Sequence, residues 1–331
     1  MKFSFIIPVY NRPDEIKELL QSFESQTVKD FDILIIEDGS IITSKSIVEQ
    51  FANLDIKYFF KENSGPGDSR NFGMKKSLSD YFIILDSDCI LPKKYFQEVK
   101  ESLKANFVDC FGGPDAALDS FSDVQKAINY AMTSFLTTGG VRGGTEKVQK
   151  FQPRSFNMGL SKKAFEETSG FGNIHPGEDP DLTIRLWKKK FQTTLISNAF
   201  VYHKRRIDWQ KFFIQVNKFG KARPILDYWH PEYQKATFVF PTLFLAVFFC
   251  SLLALFFNNF IPFLFIVFYF SLLGLHSTLL NKSFKIGVLS MFAAVIQFYG
   301  YGTGYAKSFM AIKVRNQKPE AAFPELFFKK S

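Results

Sequence analysis

The chain opens on an apolar run, Phe3–Val9, whose continuity predicts a strand buried on both faces. Residues 13–25 place Ile16, Leu19, Leu20 and Phe23 at helical spacing, and residues 31–36 form a second continuous apolar run. The same alternation continues with a helix at 41–51, a strand at 56–60, a helix at 67–78 and a strand at 81–85. A further helix at 92–103 has Pro92 in its first turn. Repeated strand–helix alternation predicts the α/β class, with a mostly parallel, Rossmann-like sheet covered by helices.

Regularity lapses after Phe111. Residues 112–154 carry Gly112-Gly113-Pro114, Gly139-Gly140 and Gly143-Gly144, the composition of a mobile, ligand-facing segment. A strand at 155–160 and helices at 162–168 and 181–190 resume the pattern. From Ala236 to Asn281 there is no Asp, Glu, Lys or Arg. A bilayer-spanning helix needs about 20 residues, so this stretch predicts two spans hinged near Asn258-Asn259 and Pro262. Residues 286–306 are a third charge-free segment, in which Gly300, Gly302 and Gly304 argue against a simple span. The expected division is a catalytic domain at 1–202, a basic amphipathic interfacial segment at 203–235, a membrane region of two to three helices at 236–306 and a basic tail at 307–331.

Composition sharpens this division. The formal net charge is +9, and the 42 Phe among 331 residues grow denser toward the end of the chain. Lys204, Arg205, Arg206, Lys211, Lys218, Lys221 and Arg223 stand against Asp208 alone, interleaved with Trp209, Phe212, Phe213, Val216 and Phe219. Basic residues beside apolar spans predict contact with membrane lipids rather than nucleic acid. With Lys282 and Lys285 they place the catalytic domain on the cytoplasmic face of the cell (inner) membrane. The tail is basic too, through Lys307, Lys313, Arg315, Lys318, Lys329 and Lys330. Three full spans would put it on the opposite side, so residues 286–306 either lie in the interface or re-enter the membrane, or the rule is broken here. Cys89, Cys110 and Cys250 are too few and too scattered for a disulfide framework or a zinc site, as in reduced cytoplasmic thiols. The first apolar run is too short for a signal peptide.

Four constellations carry chemistry. Leu85-Asp86-Ser87-Asp88 ends an apolar strand with two carboxylates one residue apart. Ligands of open α/β sheets bind at the carboxyl ends of strands, and hard oxygen donors suit Mg²⁺ or Mn²⁺ beside a diphosphate; the plainer reading is a solvated turn. Glu37-Asp38-Gly39-Ser40 follows a second buried strand, where an acid can bind ribose or base, or simply make a turn. In Asn63-Ser64-Gly65-Pro66-Gly67-Asp68-Ser69-Arg70-Asn71, glycines permit close backbone approach and Arg70 can meet phosphate. Gly177-Glu178-Asp179-Pro180-Asp181-Leu182 opens a helix. Some of its acids serve capping and the helix dipole, yet one could be the base that a sugar hydroxyl needs.

In this order the motifs resemble family 2 glycosyltransferases with the GT-A fold. The resemblance also rests on Ile7-Pro8-Val9-Tyr10-Asn11-Arg12, Asn157-Met158-Gly159 and Gly170-Phe171, and covers roughly residues 3–223. It implies an inverting, metal-dependent transferase that moves a sugar from a nucleoside-diphosphate sugar, UDP-linked, to a lipid-linked or cell-surface glycan acceptor in polysaccharide biosynthesis. It further implies Pro8, Tyr10, Asp38 and Arg70 around the nucleoside, Asp86 on ribose or a metal-bound water, and Asp88 on the metal, Mg²⁺ or Mn²⁺. Asp179 becomes the general base, Glu178 shapes the acceptor side, and His203 stands where related enzymes often contact metal or diphosphate. Glu37 departs from the family's usual Asp, and the Gln-x-x-Arg-Trp signature of processive synthases is absent from the sequence. A polyprenyl-phosphate sugar synthase is the alternative within the fold, and a catalytically inactive membrane scaffold the alternative outside enzymes.

Overall fold

A computed structural model describes residues 1–116, 121–139, 151–203 and 208–328. The strands are β1 (Phe3–Val9), β2 (Phe31–Asp38), β3 (Ile56–Lys61), β4 (Tyr81–Leu85), β5 (Cys89–Ile90), β6 (Cys110–Gly112), β7 (Asp115–Ala116), β8 (Asn157–Ser161), β9 (Thr193–Leu195) and β10 (Val201–His203). The early helices are α1 (Pro13–Glu24), α2 (Lys45–Val48), α3 (Pro66–Lys76), α4 (Tyr95–Ala105), α5 (Asp123–Thr133) and α6 (Phe135–Thr138). They are followed by α7 (Lys162–Thr168), α8 (Glu178–Lys188), α9 (Trp209–Trp229), α10 (Phe240–Leu255), α11 (Ile261–Asn281), α12 (Phe284–Phe309) and α13 (Pro319–Ala322).

The chain divides into two compact units. The first comprises residues 1–116, 144–203 and 327–331; the second comprises 117–143 and 204–326. Residues 121–139, which the sequence pattern places with the catalytic domain, thus group with the helical unit.

A seven-stranded sheet in the order β3-β2-β1-β4-β8-β6-β9 forms the first unit. β1, β2, β3 and β4 run parallel, while β8 is antiparallel to β4 and β6. The mostly parallel expectation holds with that one reversal. Alternate residues of β1 feed two cores. Phe3, Phe5, Ile7 and Val9 join Phe23, Phe31, Tyr95 and Phe96 on one face. Ile6 joins Leu34, Ile36, Phe82, Met158 and Leu186 on the other. The first face is held by edge-to-face rings, Phe5 to Phe23 at 4.7 Å and Phe31 to Phe96 at 4.9 Å between centroids, arrangements that add to simple burial. Parallel register sets Val9 beside Glu37 and Asp38 beside Lys61, so the β1, β2 and β3 carboxyl ends share one edge. β10 pairs antiparallel with β5, placing the His203 backbone opposite Cys89.

The second unit is helical. α9 and α12 approach through glycines: a Cβ on Gly220 would come within 2.2 Å of the Tyr301 carbonyl oxygen, and one on Gly304 within 2.3 Å of the Asn217 carbonyl oxygen. Phe212 and Val216 of α9 are buried in this packing. α12 runs unbroken through Gly300, Gly302 and Gly304. The glycines therefore mark helix contact, not the interruption that the sequence suggests. α11 and α12 are long and apolar enough to cross a membrane, by length and composition; α10, with 16 residues, is shorter than such a helix. The charge-free stretch 236–281 thus contains one helix of spanning length instead of two. Phe256, Phe257, Phe265 and Phe268 are exposed. Lys204, Arg205, Arg206, Lys329 and Lys330, part of the basic pattern, lie outside the described residues, as do Gly140, Gly143 and Gly144.

Candidate active site

The strand edge gathers the first group of acids. Asp38, at the end of β2, is buried; its Oδ1 accepts from the Ser64 amide at 3.0 Å and its Oδ2 from the Gly65 amide at 2.9 Å. Lys61 at the end of β3 adds a 2.8 Å ion pair. Asp38 therefore shapes the 63–65 loop directly. Glu37 is equally internal: it accepts from the Ser44 amide at 2.8 Å, from the Tyr58 hydroxyl at 3.0 Å, and from Ser40. Pro8 lies near the end of β1 and Tyr10 directly follows the strand, with its ring exposed.

Asp86 and Asp88 leave β4 on the turn into β5. Arg70 Nη2 donates to Asp86 Oδ1 at 2.8 Å, and Arg12 Nη1 donates to Asp88 Oδ2 at 2.8 Å. Asp86 retains 33% side-chain exposure, against 14% for Asp88. The His203 side chain lies outside the described residues.

Arg70 joins this edge to the entrance of α8. Its guanidinium is buried, pairs through Nη1 with Glu178 at 3.2 Å, and lies 5.2 Å from the Phe171 ring centroid. Burial alone would weaken its charge, but Asp86, Glu178 and Asp179 together hold it firmly protonated. Its neighbour Asn71 fixes the geometry: Asn71 Nδ2 donates to the Phe171 carbonyl at 2.8 Å, and the Phe171 amide donates back to Oδ1 at 2.8 Å. Close approach here requires glycine. A Cβ on Gly170, which has φ +69°, would fall 2.1 Å from Asn71 Oδ1.

The two acids opening α8 differ. Glu178 is buried and accepts from Arg70; its Oε1 also lies 2.8 Å from His175 Nδ1. Burial pushes its carboxyl up, but His175 and Arg70 outweigh that and hold it below the ordinary range. Asp179 is pushed the other way, first by burial and then by the negative Glu178, against partial relief from Arg70, Arg154 and a hydrogen bond from Ser155. Its Oδ1 is buried without a hydrogen-bond partner. Asp181, the third acid, is bound by Arg185 through Nε at 3.0 Å and Nη2 at 2.7 Å, so it serves its own helix.

The structure thus brings Arg70, Asp86, Glu178 and Asp179 into one network, with Asp88 on the same turn. Sequence reasoning passed over His175, Lys61 and Ser155. His175 precedes Glu178 by one helical turn's spacing, and Lys61 follows from the β2–β3 register; Ser155 carries no comparable signal.

Residues 4–168 match the family described as Glycosyl transferase family 2. The chain belongs to the family 2 glycosyltransferases through this domain. An uncharacterized glycosyltransferase of Rickettsia conorii is 41% identical over 112 residues, 32% of this chain and 18% of that protein. This chain therefore matches only a minor part of that relative's length. The GalNAc(5)-diNAcBac-PP-undecaprenol beta-1,3-glucosyltransferase of Campylobacter jejuni is 23% identical over 201 residues, covering 57% of this chain and 60% of that protein. Among solved structures, TarS 1-349 of S. aureus superposes with a TM-score of 0.53 at 17% identity, covering 96% of this chain and 92% of that one. The mannosyltransferase PcManGT of Pyrobaculum calidifontis, in complex with GDP-Man and Mn²⁺, gives 0.60 at 13% identity, covering 90% and 87%. These likenesses establish the mixed α/β, GT-A-like fold.

Proposed function

We propose that the chain is a membrane-attached, inverting glycosyltransferase that moves a sugar from a nucleoside-diphosphate donor to the hydroxyl of a lipid-linked or cell-surface glycan. The observation that carries this reading is Asp179: a buried carboxylate oxygen with no hydrogen-bond partner, in a group whose pKa is raised. A general base works best when its pKa approaches the working pH. Asp179 takes the acceptor's proton as the acceptor oxygen bonds to the anomeric carbon. The bond from that carbon to the diphosphate breaks on the opposite face, and its electron pair leaves with the nucleoside diphosphate. Configuration inverts because attack and departure use opposite faces. Arg70 holds Asp86 and Glu178 in fixed relation while this happens.

Asp88 and Asp86 are hard oxygen donors of the type that bind Mg²⁺ or Mn²⁺ together with water and substrate phosphate. Among the described residues no group of three or more His, Cys, Asp or Glu is placed to hold a metal ion; Asp86 and Asp88 would hold it together with substrate phosphate and water. Such an ion would supply positive charge to the departing diphosphate. Asp38, Pro8 and Tyr10 border the nucleoside, UDP-linked in this reading; the exposed Tyr10 ring offers a stacking face. Membrane attachment is supported by α11, whose 21 residues at a rise of about 1.5 Å reach roughly 30 Å. The exposed apolar rings at 256–268 support it as well. The basic residues around α9 favour the cytoplasmic face for the catalytic unit.

A donor screen tests the function. Membranes containing the protein are offered UDP-, GDP- and TDP-sugars with extracted lipid-linked glycans, and nucleoside diphosphate release is followed. Release that depends on both Asp179 and an acceptor is expected. Silence with every donor, or a product that retains the donor's anomeric configuration, overturns the proposal.

A further inference from the structure

The segment following α13 returns to the sheet unit. Phe327 forms an antiparallel bridge with Ile174, and the Phe328 amide donates to the Asn173 carbonyl at 3.1 Å. The Phe328 ring then lies over two parts of the candidate site at once. On one side it meets Gly65: a Cβ there would fall 2.3 Å from the ring. Gly65 has φ +92°, a region that L side chains rarely adopt. The ring therefore packs on bare backbone, at the residue whose amide binds Asp38 and whose successor opens α3 with Arg70. On the other side the Phe328 ring centroid is 6.1 Å from that of His175, whose Nδ1 faces Glu178.

We propose that Phe328 is a positioning residue of the glycosyl-transfer site, bracing the 63–65 donor loop and the 173–178 approach to the acids against each other. The inference rests on the functional reading above for its catalytic consequence, but its structural content stands apart. Two segments distant in sequence meet on one ring, each one step from a site carboxylate. The two segments also meet directly, where a Cβ on Gly67 would fall 2.8 Å from the Gly172 carbonyl oxygen, and the Phe328 ring extends that contact to Gly65 and His175.

The test uses the full chain in detergent or lipid nanodiscs, with Phe328→Ala, Phe328→Leu and Phe328→Tyr. Amide hydrogen exchange of the unliganded protein is read at residues 63–67 and 173–178. Phe328→Ala is expected to speed exchange in both segments by about tenfold, equivalent to about 1.4 kcal/mol. The β1 and β4 amides should keep their protection, Phe328→Leu should fall between, and Phe328→Tyr should restore the native pattern. Unchanged exchange in either segment overturns the inference whatever the enzyme does. Affinity for UDP, GDP and TDP, measured by calorimetry, reads the consequence: the best-bound nucleotide should weaken several-fold in Phe328→Ala and recover in Phe328→Tyr. Wild-type protein that binds none of the three overturns the functional reading. Intact affinity in Phe328→Ala overturns only the positioning role.

Discussion

The carboxylates at the strand edge and those at the entrance of α8 are handled differently. At the edge three acids each have a cation, Asp38 with Lys61, Asp86 with Arg70 and Asp88 with Arg12, all at 2.8 Å, while Glu37 is held by neutral donors, the Ser44 amide and the Tyr58 and Ser40 hydroxyls. At the helix entrance only one of two adjacent acids is so treated. Glu178 takes both Arg70 and His175, while Asp179 keeps a buried oxygen without a partner. Leaving a buried carboxylate underserved costs stability, and perturbed acids concentrate where chemistry is done. The difference is what the proposed mechanism uses: paired acids hold or receive charge, and Asp179 is the one proposed to move a proton.

The largest expected effect tests the edge. Chelation with EDTA, or Asp88→Ala, should reduce turnover to background while the thermal unfolding midpoint stays within a few degrees. Full activity in EDTA would remove the metal from the proposal. Next comes Asp179→Asn, which keeps shape and loses basicity. Turnover should fall by about 10²-fold or more, the scale of a lost general base, with donor KM nearly unchanged. A fall confined to KM would move Asp179 from the chemistry to binding. Third is Arg70→Ala, which strips the shared cation from both regions. Removing one partner of a buried pair costs about 3–5 kcal/mol, so chemical denaturation should show a loss of that order. Loss at one region alone would mean that the two are not joined through Arg70.

Much of this arrangement was legible in the sequence. Buried parallel strands are continuous apolar runs, so β1, β2, β3 and β4 stand out, and their ends deliver Asp38, Asp86 and Asp88. The strands β5, β7 and β10 have two or three residues each, too few for any periodicity. A capping box, Ser122 with Gln125, opens α5 inside a glycine-rich stretch whose composition favours loop. α12 shows the opposite failure. Glycine costs about 1 kcal/mol in an isolated helix, which argued for interruption, but contact with α9 at Gly300 and Gly304 supplies what the isolated helix lacks. What sequence could not show was pairing: Arg70, beside Asp86, reaches Glu178 across 108 positions of chain.

The smallest expected effect is also the most discriminating, because it asks why Asp179 differs from its neighbours. Its carboxyl is raised by burial and by Glu178, and lowered in part by Ser155. In the proposed role the active form is the carboxylate, so activity should be lost as pH falls through a pKa above the ordinary aspartate value of about 3.9. Two substitutions should move that acid limb in opposite directions. Glu178→Gln removes the negative neighbour and leaves Arg70 less neutralised; both changes favour the Asp179 carboxylate, and the limb should move to lower pH. His175 loses its partner as well and so gives up part of its charge. That opposes the shift, but His175 is 41% exposed whereas Arg70 is buried and always charged, so Arg70 dominates. Ser155→Ala deletes a hydrogen bond to the ionised form and should move the limb upward. Hydrogen bonds to charged groups contribute about 1.5–3 kcal/mol, so this shift should be on the order of one pH unit. The measurement is kcat/KM against pH for the three proteins at saturating Mn²⁺. Limbs that move together, or do not move, would mean that the group titrating in catalysis is not Asp179.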